Sequence, residues 1–182
     1  MQTYAMSVII PAYNEQKTIG SIIEETSLIM DALGTPYEII VVDDGSTDRT
    51  KEIACRYKAT VIFNGKNQGK GYALRKGFQH AQGDIIITID ADGSHNPIEI
   101  QDLINPLFNG ADVVAGSRFL GREKDHTSKL HIVGNHLINM IIMILTRKKI
   151  TDSQTGLRAF KKEFLNKISL QSCGYEIETE LT

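Results

Sequence analysis

Two aspartates one residue apart, Asp90 and Asp92, follow the apolar run at residues 84–89. If the backbone stays extended there, side-chain alternation places both carboxylates on the same side. Hard oxygen ligands of this kind suit Mg²⁺ or Mn²⁺, which usually keep waters and bridge to the phosphates of a substrate. The pair therefore indicates a divalent-cation site, and the alternative is a surface turn that carries two solvated carboxylates.

A second acidic cluster, Asp-Asp-Gly-Ser at residues 43–46, follows the apolar run at residues 38–42. A carboxylate in this position would accept hydrogen bonds from the edge of a nucleobase or from ribose hydroxyls. Taken alone, such a cluster is more often a turn that caps a helix. Two acidic clusters at the ends of adjacent strands favour a binding site over two unrelated turns.

The elements that must position these carboxylates alternate between strands and helices. Continuously apolar strands separated by helices predict a parallel sheet covered on both faces. In such sheets ligands bind beyond the carboxyl ends of the strands, which is where both acidic clusters fall. The predicted strands are residues 7–11, 38–42, 59–63, 84–89 and 112–115, and the predicted helices are residues 17–33, 48–57, 70–81 and 96–109.

Composition limits the class of protein. The chain has 182 residues, 41% of them hydrophobic, and 20 basic against 22 acidic side chains give a net charge of −2. This predicts one domain over residues 1–182 and no nucleic-acid partner, because nucleic-acid-binding domains are usually strongly basic. Cys55 and Cys173 form no disulfide framework, which favours the reducing cytoplasm. Residues 174–182 end inside a helical pattern, so we expect the natural chain to continue.

The positions of the glycines exclude two common nucleotide-binding motifs. A dinucleotide fold needs G-x-G-x-x-G after its first strand, but residues 11–15 read Pro-Ala-Tyr-Asn-Glu. The Gly-Lys-Gly at residues 69–71 does not match the G-x-x-x-x-G-K phosphate loop. Both observations count against dehydrogenases and P-loop enzymes.

The ordered set of motifs resembles family 2 glycosyltransferases. A later motif, Asp-Ser-Gln-Thr-Gly-Leu-Arg at residues 152–158, is similar to the branch that includes dolichyl-phosphate mannosyltransferase and polyprenyl-phosphate glycosyltransferases. The earlier motifs, in chain order, are Pro-Ala-Tyr-Asn-Glu at 11–15, Asp-Asp-Gly-Ser at 43–46, Asn-Gln-Gly-Lys-Gly at 67–71, Asp-Ala-Asp at 90–92 and Gly-Ser-Arg at 116–118.

The resemblance implies both a fold and a reaction. The fold is the α/β GT-A fold, a Rossmann-like and mostly parallel sheet with helices on both faces. The reaction moves a hexose, with inversion, from a UDP- or GDP-sugar donor to a polyprenyl or dolichyl phosphate acceptor. The implied cofactor is Mg²⁺ or Mn²⁺.

The resemblance also implies roles on the donor side. Asp92 is the principal metal ligand, and Asp90 lies near both the ribose and the metal. Relatives in the mannosyltransferase branch carry a Gln metal ligand two residues after the second Asp, where this chain has Ser94. The residues that would bind the nucleotide sugar are Pro11, Tyr13, Glu15, Asp43 (facing the base), Lys70, Asp90 and Arg158.

Cations are expected on the acceptor side, because a lipid phosphate is already anionic and must approach an anionic diphosphate. Arg118 is the candidate for gripping the acceptor phosphate, since its planar fork matches phosphate oxygens. Asp152 resembles the family residue that orients the nucleophile or balances charge on the sugar ring. Arg158 would contact the diphosphate or brace the loop of Asp152. Further candidates for holding the acceptor phosphate are Lys129, His131 and Asn135.

The apolar stretch at residues 137–145 is too short to span a bilayer and is followed by Arg147, Lys148 and Lys149. An apolar helix beside a basic cluster suits docking on an anionic membrane surface. An equally weighted alternative is a helix of the core or of a dimer interface, with its basic end in solvent. With a lipid acceptor, we expect a cytoplasmic protein, peripheral at the inner face of the membrane.

Three other functions are alternatives to sugar transfer onto a polyprenyl phosphate. An enzyme that adds sugars to a glycan or polysaccharide is the nearest, although processive family members carry Gln-x-x-Arg-Trp and this chain has no Trp. A sugar nucleotidyltransferase would need a Gly-rich, Arg-containing loop after the first strand. A non-catalytic nucleotide-sugar-binding module is disfavoured by the presence of Asp90, Asp92, Arg118 and Asp152.

Overall fold

The first apolar run forms strand β1, Met6–Ala12, in which all seven residues are buried. A computed structural model describes residues 5–117 and 152–182 of the chain. The other strands are β2 (Tyr37–Asp43), β3 (Thr60–Phe63), β4 (Ile85–Thr88), β5 (Val113–Ala115) and β6 (Arg158–Lys161). The helices are α1 (Ile19–Leu33), α2 (Thr50–Ala54), α3 (Lys70–His80), α4 (Ile100–Phe108), α5 (Lys162–Leu165) and α6 (Ile177–Glu180), and a 3₁₀ turn spans Pro97–Glu99.

The six strands form one sheet in the order β3-β2-β1-β4-β6-β5. The first four strands in this order are parallel. Strand β6 lies between β4 and β5 and is antiparallel to both. Its first residue, Arg158, is paired with Thr88, the last residue of β4. The loop that precedes β6 therefore lies at the edge of the sheet where the parallel strands end.

Helices cover both faces of the sheet. Adjacent residues of a strand point to opposite faces, so one strand contributes side chains to two cores. Val8 and Ile10 of β1 belong to a core shared with α1 and α4. Ile9, between them, belongs to a second core shared with α3 and α6. The predicted α/β fold, a mostly parallel sheet with helices on both faces, is confirmed.

Three features differ from the sequence-based expectation. The two acidic clusters do not follow adjacent strands, because β1 lies between β2 and β4 in the sheet. Helix α2 is shorter than the predicted 48–57, because Asp48 accepts hydrogen bonds at the turn that precedes it. No strand was predicted at Arg158–Lys161, because an arginine interrupts the apolar pattern, yet β6 occupies the position beside β4. Among the residues that the structure describes, no helix is both long and apolar enough to cross a bilayer. The predicted apolar helix at 137–145 and the basic cluster after it lie outside the described residues.

Candidate functional site

A cavity of about 190 Å³ opens beside the carboxyl ends of β1, β2 and β4. Its walls come from the turn after β1, the start of α3, the turn after β4 and the segment that precedes α6. The lining residues are Pro11, Ala12, Tyr13, Glu15, Asp44, Asn67, Gly69, Lys70, Ala73, Asp90, Ala91, Asp92, Gly174 and Tyr175. Both acidic residues that follow β4 therefore face the same cavity.

Asp90 lies in the inner part of this cavity and is largely shielded from solvent. Its Oδ1 forms an ion pair with Lys70 Nζ at 2.6 Å. The carboxylate also lies against the backbone of Gly156, so closely that a Cβ at that position would overlap it. Asp90 is thus held between helix α3 and the loop that precedes β6.

Lys70, the first residue of α3, is shared between two carboxylates. Its Nζ lies 2.6 Å from Asp90 Oδ1 and 2.6 Å from Glu178 Oε1. Burial lowers the pKa of the Lys70 ammonium, but the two carboxylates more than offset this and raise the pKa above its usual value. Lys70 therefore carries a fixed positive charge in the wall of the cavity.

Asp92 is solvent-exposed and sits in a tight turn. Its Oδ1 accepts a hydrogen bond from the backbone N–H of Ser94 at 2.9 Å. Gly93, between them, has a φ of 79°, a left-handed conformation that glycine adopts without strain. The remaining oxygen of Asp92 contacts no protein donor within the described part of the chain, so it is available to a ligand.

Glu15 is a further acidic residue that lines the cavity. Burial raises the pKa of Glu15; a hydrogen bond from Thr18 opposes this rise, and the nearby charges of Asp92, Asp48 and Asp90 add to it. Mutual repulsion of this kind is relieved by a bound cation. The cavity therefore favours a cation near the carboxylates of Glu15, Asp90 and Asp92.

The residues present fit a hard divalent cation that completes its shell from other sources. Within residues 5–117 and 152–182, no group of three His, Cys, Asp or Glu side chains is arranged to hold a metal ion by itself. Mg²⁺ and Mn²⁺ commonly take one or two carboxylates and fill the other positions with water and substrate phosphate. Oxygens of Asp90 and Asp92 would supply the protein ligands.

The two aspartates at the end of β2 are used differently. Asp44 accepts hydrogen bonds at both oxygens, from Asn64 Nδ2 at 2.7 Å and from the backbone N–H groups of Gln68 and Gly69 at 3.0 and 2.7 Å. It therefore holds the loop that leads into α3. Asp43 is fully buried and accepts from Ser46 N through Oδ1, while its Oδ2 has no hydrogen-bond partner among the residues that the structure describes.

The loop at residues 152–157 is held from beneath by Arg158. This guanidinium is 1% exposed and donates to the backbone oxygens of Ser153 and Thr155. It also pairs with Glu178 at 3.3 Å. Asp152, at the start of the loop, is buried and accepts a hydrogen bond from Gln154 N at 3.2 Å. Of the two roles left open for Arg158, the geometry corresponds to bracing the loop of Asp152.

The structure brings together most of the predicted donor-side residues. Those that line the cavity are Pro11, Tyr13, Glu15, Lys70, Asp90 and Asp92. Asp43, Asp152 and Arg158 are buried and are not among its lining residues. Their contacts with a ligand stay predictions. The predicted acceptor-side residues Arg118, Lys129, His131 and Asn135 lie outside the described residues.

Sequence reasoning missed several residues at this site. Glu178 and Tyr175 come from the C-terminal segment, for which only a helical pattern was noted. His95 is buried beside the loop of Asp152, with Nε2 3.4 Å from Thr155 Oγ1. No local signal pointed to Glu178, because its partners Lys70 and Arg158 are distant in sequence and meet it only in the folded chain.

Comparison with known proteins finds a matching family and similar relatives. A family model described as "Glycosyl transferase family 2" matches residues 7–169. The chain is 36% identical over 185 residues to the dolichol-phosphate mannosyltransferase of Pyrococcus furiosus, covering 97% of this chain and 51% of that protein. It is 36% identical over 168 residues to the undecaprenyl-phosphate 4-deoxy-4-formamido-L-arabinose transferase of Pectobacterium carotovorum, covering 88% and 50%. The chain thus spans about half the length of these two relatives.

Solved structures also resemble the fold. One is glucosyl-3-phosphoglycerate synthase from Mycobacterium tuberculosis, crystallised with Mn²⁺, UDP and glucosyl-3-phosphoglycerate. The TM-score is 0.78 at 26% sequence identity, and the match covers 98% of this chain and 63% of that chain.

Proposed function

The chain belongs to glycosyl transferase family 2, and we propose that its cavity binds a nucleotide-diphosphate sugar, either UDP- or GDP-linked. The hexose of this donor is transferred to a polyprenyl or dolichyl phosphate. The observation that carries this proposal is the convergence of Asp90, Asp92 and Lys70 on one cavity at the carboxyl ends of the strands. Two anionic side chains and a fixed cation are the complement expected for a diphosphate that is bound together with a divalent ion.

Asp90 and Asp92 would hold the divalent ion, Mg²⁺ or Mn²⁺. The ion would neutralise the diphosphate and stabilise it as a leaving group. The occurrence of Mn²⁺ together with UDP in the structurally similar synthase supports this assignment. Lys70, the first residue of α3, would add a second positive charge beside Asp90.

The reaction needs little proton transfer, because a phosphate monoester oxygen is already anionic near neutral pH. That oxygen attacks the anomeric carbon, the bond from this carbon to the diphosphate oxygen breaks, and the nucleoside diphosphate leaves with the electron pair. Direct attack opposite the leaving group inverts the anomeric configuration. Asp152 would orient the attacking phosphate or balance positive charge that develops on the sugar ring, and the brace from Arg158 would keep its loop in place.

The lipid acceptor is proposed from the names of the relatives, which act on dolichol phosphate and undecaprenyl phosphate. Arg118 would grip the acceptor phosphate, with help from Lys129, His131 and Asn135. A lipid acceptor places the reaction at a membrane surface, and we propose peripheral association at the cytoplasmic face through residues 137–149. Cosedimentation of the chain with anionic vesicles, and its loss when Arg147, Lys148 and Lys149 are replaced by Ser, tests this association.

A transfer assay tests the proposed function. The chain is incubated with radiolabelled UDP- and GDP-sugars, Mn²⁺ and a short polyprenyl phosphate, and lipid-linked sugar is measured. We expect transfer from one donor class and a loss of at least about tenfold in Asp92→Asn, because removing one ligand charge weakens the metal site. Asp102→Asn, an exposed aspartate on α4, is the matched control.

Three results would contradict the proposal. Binding of a nucleotide sugar without transfer to any acceptor would indicate a binding module. Transfer to a glycan acceptor in place of the lipid phosphate would replace the acceptor class. Equal activity in Asp92→Asn and the wild type would remove Asp92 from the site.

A further inference from the structure

Glu178 stands at the centre of a buried network of charges that joins the cavity to the loop of Asp152. Its Oε1 lies 2.6 Å from Lys70 Nζ, and its Oε2 lies 3.3 Å from Arg158 Nη2. Lys70 continues the network to Asp90 at 2.6 Å. Glu178 itself does not line the cavity, so it can influence a ligand through Lys70, or through Arg158 and the loop of Asp152.

Glu178 is buried and is held by contacts on both its side chain and its backbone. The residue is 2% exposed and lies on α6, whose neighbour Ile177 is packed in the core shared with α3. The Arg158 guanidinium also donates to the backbone oxygen of Glu178 at 2.8 Å. Burial raises the pKa of Glu178, although the positive charges of Lys70 and Arg158 oppose that rise.

A lysine in this position needs such an anchor. Its side chain has four rotatable carbon–carbon bonds and carries a point charge, so without a second partner Lys70 Nζ would pair with Asp90 alone. That pairing competes with a divalent ion for the same carboxylate. The carboxylate of Glu178 also contacts the Lys70 ammonium, so the ammonium interacts less strongly with Asp90.

We propose that Glu178 is a positioning residue, which fixes the Lys70 ammonium where it can contact the diphosphate of the donor while Asp90 turns to the divalent ion. The inference rests on the proposed donor site. It assigns a role to a residue outside the cavity, acting through Lys70. When donor and ion bind, Lys70 exchanges its contact with Asp90 for the diphosphate and keeps its contact with Glu178.

Glu178→Asp is the most informative variant, because it preserves the charge and withdraws the carboxylate by one methylene, about 1.5 Å. Binding of UDP and GDP is measured by calorimetry in the presence of Mn²⁺, and the better-bound nucleotide is kept. We expect Glu178→Asp to weaken its binding about tenfold, or 1.4 kcal/mol. Glu176→Asp, the same change at an exposed position on the same segment, should leave the affinity unchanged within about twofold.

A double-mutant cycle separates positioning from structural damage. In a Lys70→Met background, Glu178→Asp should change nucleotide affinity by less than about twofold, because the residue through which Glu178 acts is absent. An equal loss in both backgrounds would overturn the inference. If wild type binds neither nucleotide with Mn²⁺, the proposed donor site fails and the inference fails with it.

A second measurement decides the question if Lys70→Met does not fold. The affinities of the diphosphate and of the matching monophosphate are compared in wild type and in Glu178→Asp. A misplaced Lys70 weakens the diphosphate more than the monophosphate, so the preference for diphosphate should fall about tenfold. Equal weakening of both nucleotides would indicate a structural role only and would contradict the proposal.

Discussion

Neighbouring aspartates of the same chemical type perform different tasks in this protein, and the difference lies in their hydrogen-bond partners. Both oxygens of Asp44 accept from the loop that precedes α3. Asp43 is also buried, but one of its oxygens has no hydrogen-bond partner within residues 5–117 and 152–182. Because Asp43 does not line the cavity, its contact with the nucleoside stays a prediction.

The two aspartates should therefore respond differently to replacement by asparagine. In Asp44→Asn, only one of the two acceptor oxygens remains, so either Asn64 Nδ2 or both backbone N–H groups, of Gln68 and Gly69, lose their partner. The free energy of unfolding should therefore fall by about 1–3 kcal/mol. Asp43→Asn retains an acceptor for Ser46 N and should keep its stability while nucleotide affinity falls. Urea denaturation and calorimetry measure the two quantities. A larger stability loss in Asp43→Asn than in Asp44→Asn would contradict this assignment.

The sequence indicates the position of a residue in the fold best where its motif follows a parallel strand. Asp90 and Asp92 were placed from the apolar run before them, and both line the cavity. Glu178 was missed because its partners, Lys70 and Arg158, are distant in sequence and meet only after the sheet has formed. Spacing along the chain carries no information about that encounter.

At the scale of elements, the start of helix α3 depends on the C-terminal segment. The backbone N–H groups of Gly71 and Tyr72 donate to the carbonyl oxygens of Gly174 and Cys173 at 3.2 and 3.1 Å. Such groups in the first turn of a helix have no partner within the helix. The segment therefore caps α3 and, through Gly174 and Tyr175, also supplies a wall of the cavity.

Gly71→Ala tests this coupling, because a Cβ at residue 71 would overlap the carbonyl oxygen of Ser172. The segment must move away, so we expect a loss of about 1–3 kcal/mol in the free energy of unfolding and weaker nucleotide binding. Gln79→Ala, an exposed change on the same helix, is the control for unfolding and calorimetry. Unchanged nucleotide affinity in a folded Gly71→Ala protein would show that this wall does not contribute.

Strand β6 cannot be recognised from its own sequence. Its sequence, Arg-Ala-Phe-Lys, lacks an apolar run, and its first residue is a buried arginine. The burial is tolerated because Arg158 is neutralised by Glu178 and donates to the backbone of the preceding loop. The strand depends on tertiary contacts that are not local in sequence, unlike β1, β2 and β4, whose apolar runs identify them.

At the scale of the whole molecule, the topology brings distant motifs together. Strands β1, β2 and β4 end at one edge of the sheet, and antiparallel β6 begins there. The motifs after three parallel strands thus meet the loop of Asp152. The family resemblance inferred from the order of these motifs is confirmed by the family model over residues 7–169. The antiparallel insertion was not predicted, because pairing order cannot be derived from apolar patterning alone.

A ligand that binds only the folded protein should stabilise it as a whole. At a concentration about 100 times its dissociation constant, the stabilisation is about 2.7 kcal/mol. For a chain of this size, we expect the Tm to rise by roughly 5–11 °C when UDP or GDP is added with Mn²⁺. Thermal scans should show a much smaller shift with the nucleotide and a chelator. An equal shift in the presence of the chelator would argue against a shared metal and diphosphate site.

The proposed donor site depends on one divalent ion that joins the carboxylates after β4 to the diphosphate of a donor. The most direct measurement is a crystal structure of the chain with Mn²⁺ and the better-bound nucleoside diphosphate, using anomalous scattering to locate manganese. We predict one strong peak that directly contacts both a carboxylate oxygen of Asp92 and the diphosphate. Nucleotide bound in the cavity with manganese absent, or with manganese located away from Asp90 and Asp92, would contradict the account.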